Sequence, residues 1–262
     1  MHEIPLSGGN INLVVRVDDT VRRPMGPWSP AIHGLLQHLE QRGFDSAPRF
    51  LGIDQQGREI LSFIVGEVGF LPCMWSETAL TQAAQLLRRY HDATVGYTPP
   101  ASASWQFVYP DVLRHEVIVH CDFAPYNIVF DQEQPRALID FDLAGPGPRI
   151  WDIAYAVYWF VPLYYDRSED ARGLADLTTS SLRLRRFCDA YGCACTSELL
   201  DTVEQRLQEM CRWLITGAAE GNPACQKLVD EGHEAAYREA LAVFREYRPA
   251  LEQALGLRSA GG

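Results

Sequence analysis

Two spacings of apolar residues divide the chain near residue 66. Before it, short β-rich runs alternate with turn residues, the pattern of strands. Residues 3–6, 11–17 and 20–23 form three such runs, separated by Ser7-Gly8-Gly9-Asn10 and Asp18-Asp19. Residues 47–53 and 59–64 form two more, joined through Gln55-Gln56-Gly57. One helix is predicted among them, over residues 31–42, with Leu35, Leu36 and Leu39 in a single stripe. Ser29 is placed to cap it, Pro30 to open it and Gly43 to end it. Beyond residue 66 helical spacing dominates. Residues 78–91 carry Leu80, Ala83, Ala84, Leu87 and Tyr90 on one face, and further helices are predicted over 153–163, 171–191, 197–217, 223–232 and 234–255.

The break in that helical half is residues 117–142, VIVHCDFAPYNIVFDQEQPRALIDFD. Three short apolar runs, Val117–Val119, Ile128–Phe130 and Ala137–Ile139, alternate with polar loops and turn residues. They deliver His120, Asp122, Asn127, Asp140 and Asp142 at or beside strand ends, where a scaffold commonly presents chemistry. Phosphoryl transfer to a hydroxyl needs one carboxylate to take or orient the hydroxyl proton. It also needs an amide oxygen and a second carboxylate for the metal ions on the nucleotide. Asp122, Asn127 and Asp140 supply that set, and His120-x-Asp122-x-x-x-x-Asn127 has the spacing of a kinase catalytic loop.

HCDFAPYN, IDFD and GPGPRIWDIAYA together resemble the aminoglycoside phosphotransferase family, within the protein-kinase-like superfamily. That family writes the loop H-G-D-x-x-x-x-N; here Cys121 stands in the place of the Gly. The resemblance implies an α+β, bilobal, protein-kinase-like fold. Its small β-rich N-lobe would span residues 1–66, and its larger, mostly helical C-lobe residues 67–262. It implies ATP or GTP with Mg2+, Asp122 as catalytic base, and Asn127 and Asp140 as metal ligands. Gly8 and Gly9 would lie against the nucleotide phosphates, and the backbone of Ser62, Phe63 and Ile64 against the base. The superfamily places a lysine on the third strand, but Lys227 is the only lysine of this chain. Arg23 is the expected substitute: strand alternation puts it on the face of Val21 and turns Arg22 outward. The helix that should carry a glutamate partner for that cation has Ile32 and His33 in its first turns. Either His33 replaces the missing contact, or the pair is absent and His33 is a surface residue. His120 and Asp152 are read as braces of the catalytic loop, and His91 as a packed or capping residue.

Composition narrows the partners. At 262 residues, 47% apolar and 22% charged, the chain is long enough for a full core and has an ordinary globular balance. A net charge of −11 argues against a nucleic-acid substrate and suits a small cationic acceptor. Glu204, Glu209, Glu220, Asp230, Glu231 and Glu234 could line a pocket for one, or could be solvated helix positions. No apolar stretch has the length to span a membrane, and seven scattered cysteines do not form a disulfide framework, so a cytoplasmic protein is expected. The expected activity is transfer of the nucleotide γ-phosphate to a hydroxyl of a small acceptor such as an aminoglycoside-like antibiotic. Two other readings stand beside it. One is a kinase-like nucleotide-binding module without turnover. The other is a metal-dependent hydrolase using His115, His120, Asp122 and Asp140 as ligands.

Overall fold

The structure is a computed structural model and describes residues 3–6, 14–163 and 176–257. Five strands, β1 (Ile4–Pro5), β2 (Val15–Val17), β3 (Thr20–Arg23), β4 (Phe50–Ile53) and β5 (Glu59–Ser62), form an antiparallel sheet in the order β1-β2-β3-β5-β4. The β3–β5 register sets Arg23 directly across from Glu59 and Thr20 across from Ser62. Helix α1 (Ser29–Gln41) follows β3 and buries Ile32, Leu35, Leu36 and Leu39. Its cap lies one residue earlier than the sequence suggests. Ser29 lies inside the first turn, where its hydroxyl accepts the Gly26 N–H at 3.0 Å, and Trp28 holds the capping position without a side-chain bond.

Gly66 then carries the chain past the strand that follows Asn127. Its φ is +149°, and a Cβ there would lie 2.4 Å from the Phe130 carbonyl oxygen and 2.5 Å from a Val129 methyl. Only glycine permits that approach. The next residue, Glu67, exchanges both backbone hydrogen bonds with Phe130, at 2.9 and 2.7 Å. Helix α2 (Glu77–Thr94) leads on, followed by β6 (Val117–Val119), β7 (Ile128–Asp131), β8 (Gln134–Leu138) and β9 (Gly145–Gly147). The β7–β8 hairpin turns through Gln132 and Glu133 alone, both at positive φ (48° and 67°). The sequence suggests a longer turn, but Pro135 enters the ladder where its register shifts opposite Phe130, so its missing N–H breaks no regular pair. Strand β9 is Gly-Pro-Gly, a composition that signals a loop; it pairs with all three residues of β6.

The described chain groups into two compact units, Met1–Met74 with Gln85–Asp152, and Trp75–Ala84 with Ile153–Gly262. The first holds both sheet regions. The second is built on α4 (Leu177–Tyr191), α5 (Ser197–Ala219), α6 (Pro223–Asp230) and α7 (His233–Ala254), which follow α3 (Arg149–Phe160) in the chain. Side chains start these helices as sequence rules require: Asp176, Thr196 and Asn222 accept N–H groups of the first turns of α4, α5 and α6. Leu199, Leu200, Val203, Leu207, Leu184, Phe187, Phe244 and Leu251 form the apolar interior of this unit.

Candidate active site

The loop between β6 and β7 is built around a buried carboxylate. Asp152, in the first turn of α3, accepts the backbone N–H of His120 at 2.6 Å and of Cys121 at 2.8 Å. His91 of α2 adds a third bond from Nε2 at 3.0 Å. Asp152 and His91 are fully buried. Burial opposes the Asp152 charge, but the bond from His91 and the N–H of His120 outweigh it and hold the carboxyl below its ordinary range. Burial pulls the His91 pKa down in turn, so a neutral imidazole donates to a charged carboxylate. His120 is a second brace. Its Nδ1 accepts the Asp122 N–H at 3.3 Å, and its Nε2 donates to the Ile139 carbonyl at 3.1 Å. Cys121 sits at φ +63° with its side chain buried, which explains why this position favours glycine.

Asp122 and Asn127 are joined directly. The Asn127 amide donates to the Asp122 carbonyl at 3.0 Å and to Asp122 Oδ2 at 2.7 Å, so its own carbonyl oxygen is left as an acceptor. Tyr126 donates its hydroxyl to Asp122 Oδ1 at 2.7 Å. Ile139, the residue before Asp140, donates its N–H to the Asn127 carbonyl at 3.0 Å. Asp140 therefore leaves the hairpin beside the loop that carries Asp122 and Asn127. It adopts φ +60°, a conformation aspartate tolerates, and its side chain is 53% exposed.

Arg23 reaches the same place from the sheet. Its Nη1 lies 3.1 Å from Asp140 Oδ1, its Nη2 2.5 Å from Asp142 Oδ1, and its Nε donates to Glu59 Oε1. Burial disfavours its charge, but Asp142, Asp140 and Glu59 more than compensate and raise the guanidinium pKa above its usual value. Burial also lifts the Asp142 carboxyl, against the pull of Arg23 and helped by Asp140 and Glu59, to about 6. Arg22 turns the other way, to the Thr20 hydroxyl at 2.5 Å and Asp54 at 3.9 Å. His33 is buried and meets Glu59 Oε2 at 2.5 Å, so it is no idle surface residue. Glu59 was not singled out from the sequence. Its one signal is its place at the start of the strand that pairs with β3.

The remaining expected positions divide. Gly8 and Gly9 lie outside the described residues. Ser62 and Phe63 already commit their backbone N–H groups, to the Arg49 and Asp19 carbonyls at 2.9 Å each, whereas among the described residues no such bond engages Ile64. His115 Nε2 is bonded to the Tyr109 carbonyl at 2.7 Å, and both ring nitrogens of His120 are committed as described. The ligand set of a metal-dependent hydrolase is thus not assembled. Among the described residues no group of three or more His, Cys, Asp or Glu could hold a metal ion. Of the acidic positions beyond residue 200, Glu204 pairs with Arg245 and Arg248, Glu209 with Arg212, Glu231 with Lys227, and Glu234 with Arg238. Glu209, Glu231 and Glu234 pair along their own helices or caps and Glu204 ties α5 to α7, so these four belong to ion pairs rather than to an open anionic lining.

The profile of the phosphotransferase enzyme family matches residues 71–187. The trifolitoxin immunity protein of Rhizobium leguminosarum bv. trifolii is 40% identical over 194 residues, 72% of this chain and 74% of that protein. Two solved structures share the fold at low identity. The GDP complex of wild-type aminoglycoside 2'-phosphotransferase-IIIa is 14% identical with a TM-score of 0.62, covering 95% of this chain and 93% of that one. The amicoumacin kinase hAmiN, in complex with AMP-PNP, Ca2+ and Ami, is 13% identical with a TM-score of 0.63, covering 88% of each chain. A catalytic-loop spacing, a loop braced from α2 and α3, and these likenesses converge: the chain belongs to the aminoglycoside phosphotransferase family and has its protein-kinase-like α+β fold.

Proposed function

We propose that the protein transfers the γ-phosphoryl group of ATP, or GTP, to a hydroxyl of a small acceptor, an antibiotic or toxin of aminoglycoside-like, cationic character. Residues 1–66 would hold the nucleotide and residues 67–262 would supply the catalytic loop and the acceptor side. The observation that carries the reading is the joining of Asp122, Asn127 and Asp140 through Asn127: its amide bonds Asp122, and its carbonyl accepts the N–H beside Asp140.

In this scheme Asp122 accepts the acceptor's hydroxyl proton as the phosphoryl group leaves the nucleotide. An ordinary carboxylate is basic enough, because proton loss is late when the transition state is loose. The hydrogen bonds from Asn127 and Tyr126 aim the Asp122 oxygens. The Asn127 side-chain amide oxygen and the Asp140 carboxylate are hard oxygen donors of the kind magnesium takes alongside phosphates. Magnesium bound there supplies charge neutralisation on the transferring group. Arg23 adds a fixed positive charge for the phosphates, and Gly8 and Gly9 would lie against them. Of the stretch expected to meet the base, Ile64 has the backbone N–H best placed to bind it, with Ser62 and Phe63 shaping the edge. Positioning and electrostatics account for most of the rate gain.

A second reading has one observation in its favour. The 40%-identical relative is named for immunity, and immunity can come from holding a toxin without modifying it. One experiment separates the two. Purified protein is incubated with γ-labelled ATP, magnesium and a panel of aminoglycosides, amino alcohols, sugars and toxins. Label should pass to an acceptor with the wild type and not with Asp122→Asn, while both bind nucleotide. Nucleotide binding with no transfer to any panel member, and equal behaviour of the two proteins, supports the binding module.

A further inference from the structure

In the kinase superfamily the strand cation is held by a glutamate on the neighbouring helix, and helix placement controls the pair. Here the first turns of α1 have no glutamate, and Glu40 near its end pairs with Arg49 instead, yet Arg23 is held. We propose that Glu59 and His33 are the positioning residues of Arg23, and that they set its guanidinium plane by strand register instead of by helix placement. The inference rests on the phosphotransferase reading above.

The geometry argues for it step by step. Arg23 and Glu59 are directly paired across β3 and β5, so their side chains share one face of the sheet. Glu59 takes the single N–H at Nε, which lies on the sheet side of the guanidinium. Because the group is planar, fixing Nε fixes the orientation of both Nη atoms. Those Nη atoms point at Asp140 and Asp142. When a nucleotide enters and Asp140 turns to the metal, the same Nη edge faces phosphate oxygens. Without Glu59, the two aspartates would be the only carboxylates on Arg23, and they would draw the cation wholly to themselves.

His33 completes the arrangement from α1. Its Nε2 meets the other Glu59 oxygen at 2.5 Å, and its ring stacks on Phe50 with centroids 3.7 Å apart and planes 14° apart. The Glu59 side chain is 1% exposed, so it has no water to share its charge and its orientation is set by Arg23 and His33. The consequence is a change of control. Arg23 and Glu59 belong to one sheet and move together, so a shift of α1 breaks the His33–Glu59 bond and leaves the Arg23–Glu59 pair in place.

Glu59→Gln tests this, because it removes the charge and keeps the shape; His33 can change tautomer to suit the amide. Binding of ADP is measured by calorimetry with EDTA present, which isolates the protein's own phosphate contacts from the metal. Glu59→Gln should weaken it about tenfold, as expected for loss of one charge-assisted bond. The KM for ATP should rise by a similar factor while the KM for the acceptor stays, a split that a merely structural role would not give. The double variant His33→Glu/Glu59→Gln returns a carboxylate from the helix side and should recover wild-type ADP affinity. A folded Glu59→Gln that binds ADP like the wild type overturns the inference and leaves the phosphotransferase reading standing. Should Glu59→Gln fail to fold, the double variant decides: recovery supports the inference, and a folded protein with weak ADP binding overturns it. A wild type that binds no nucleotide removes the phosphotransferase reading, and this inference with it.

Discussion

Asp152 shows how a buried residue governs the loop that carries the proposed reacting groups. Two backbone N–H groups and one imidazole converge on its buried carboxylate, and together they fix the turn that presents Asp122. Asp152→Asn replaces one acceptor oxygen with a donor, leaving at least one buried N–H unmatched. The expected loss is about 3 kcal/mol in urea unfolding, in the range for breaking a buried charged network. The same cluster fixes a pH dependence. Burial lowers the His91 pKa from its usual 6.5, so the unfolded chain takes up the proton more readily. Its contribution is complete above pH 6.5 and declines as the pH falls further; that of Asp152, lowered from 3.8, is lost only in stronger acid. The unfolding midpoints of wild type and His91→Gln, followed from pH 8 to 4 (about the span between the two ordinary values), should converge toward the acid end. Curves that stay parallel would contradict the assignment. Cys121 gives a third test at this scale. With φ at +63°, Cys121→Gly should alter stability by no more than ~1 kcal/mol, strain relief offsetting lost burial. The β-branched Cys121→Val should unfold at clearly lower urea. Such residues show the limits of sequence reading. The absence of a glutamate from the first turns of α1 was visible in the sequence; its replacement by Glu59 depends on which residue β3–β5 register sets opposite Arg23.

Among the elements, the β7–β8 hairpin and the segment after the sheet depend on each other. Gly66 lets Glu67 pair with Phe130, and Phe130 belongs to the strand that follows Asn127. Gly66→Ala would place a Cβ 2.4 Å from the Phe130 carbonyl at φ +149°. A cost of roughly 2–4 kcal/mol follows from the clash and the strain together. The thermal midpoint should drop, and nucleotide affinity with it; a midpoint equal to the wild type would show that the pairing is dispensable. The elements themselves were largely legible. Strand β3 and helices α5, α6 and α7 start within a residue of their sequence-based limits, because caps and apolar stripes are local signals; α4 starts at Leu177, where Asp176 caps it, rather than at the expected 171. Strand β9 was not, since Gly-Pro-Gly has no strand propensity and is held in extended form by β6. Helix α3 starts at Arg149, ahead of the expected Ile153, and so takes Asp152 into its first turn, where the carboxylate faces the catalytic loop.

For the molecule as a whole, charge is the property with the clearest consequence. A net charge of −11 should attract a cationic acceptor over distances longer than any contact. Raising salt from about 0.05 M to about 0.5 M shortens the screening length severalfold. The KM of a cationic acceptor should therefore rise across that range, and the KM of a neutral acceptor should not. Equal responses would mean that the acid surface serves solubility alone. No helix among the described residues is long and apolar enough to cross a membrane, and all seven cysteines are free thiols.

What the chain determined by itself was the loop on which the proposed chemistry rests. The spacing from His120 to Asp142 selects the groups proposed to react, because a loop of fixed length between two strands can hold a carboxylate and an amide in only a few ways. The alternation of apolar residues similarly sets Arg23 on one face and Arg22 on the other. What only tertiary structure decided were the partners: Glu59 and His33 for Arg23, Asp152 and His91 for the loop. Those contacts join residues 26 to 61 positions apart. No local periodicity records which buried carboxylate meets which donor once strands pair and helices pack.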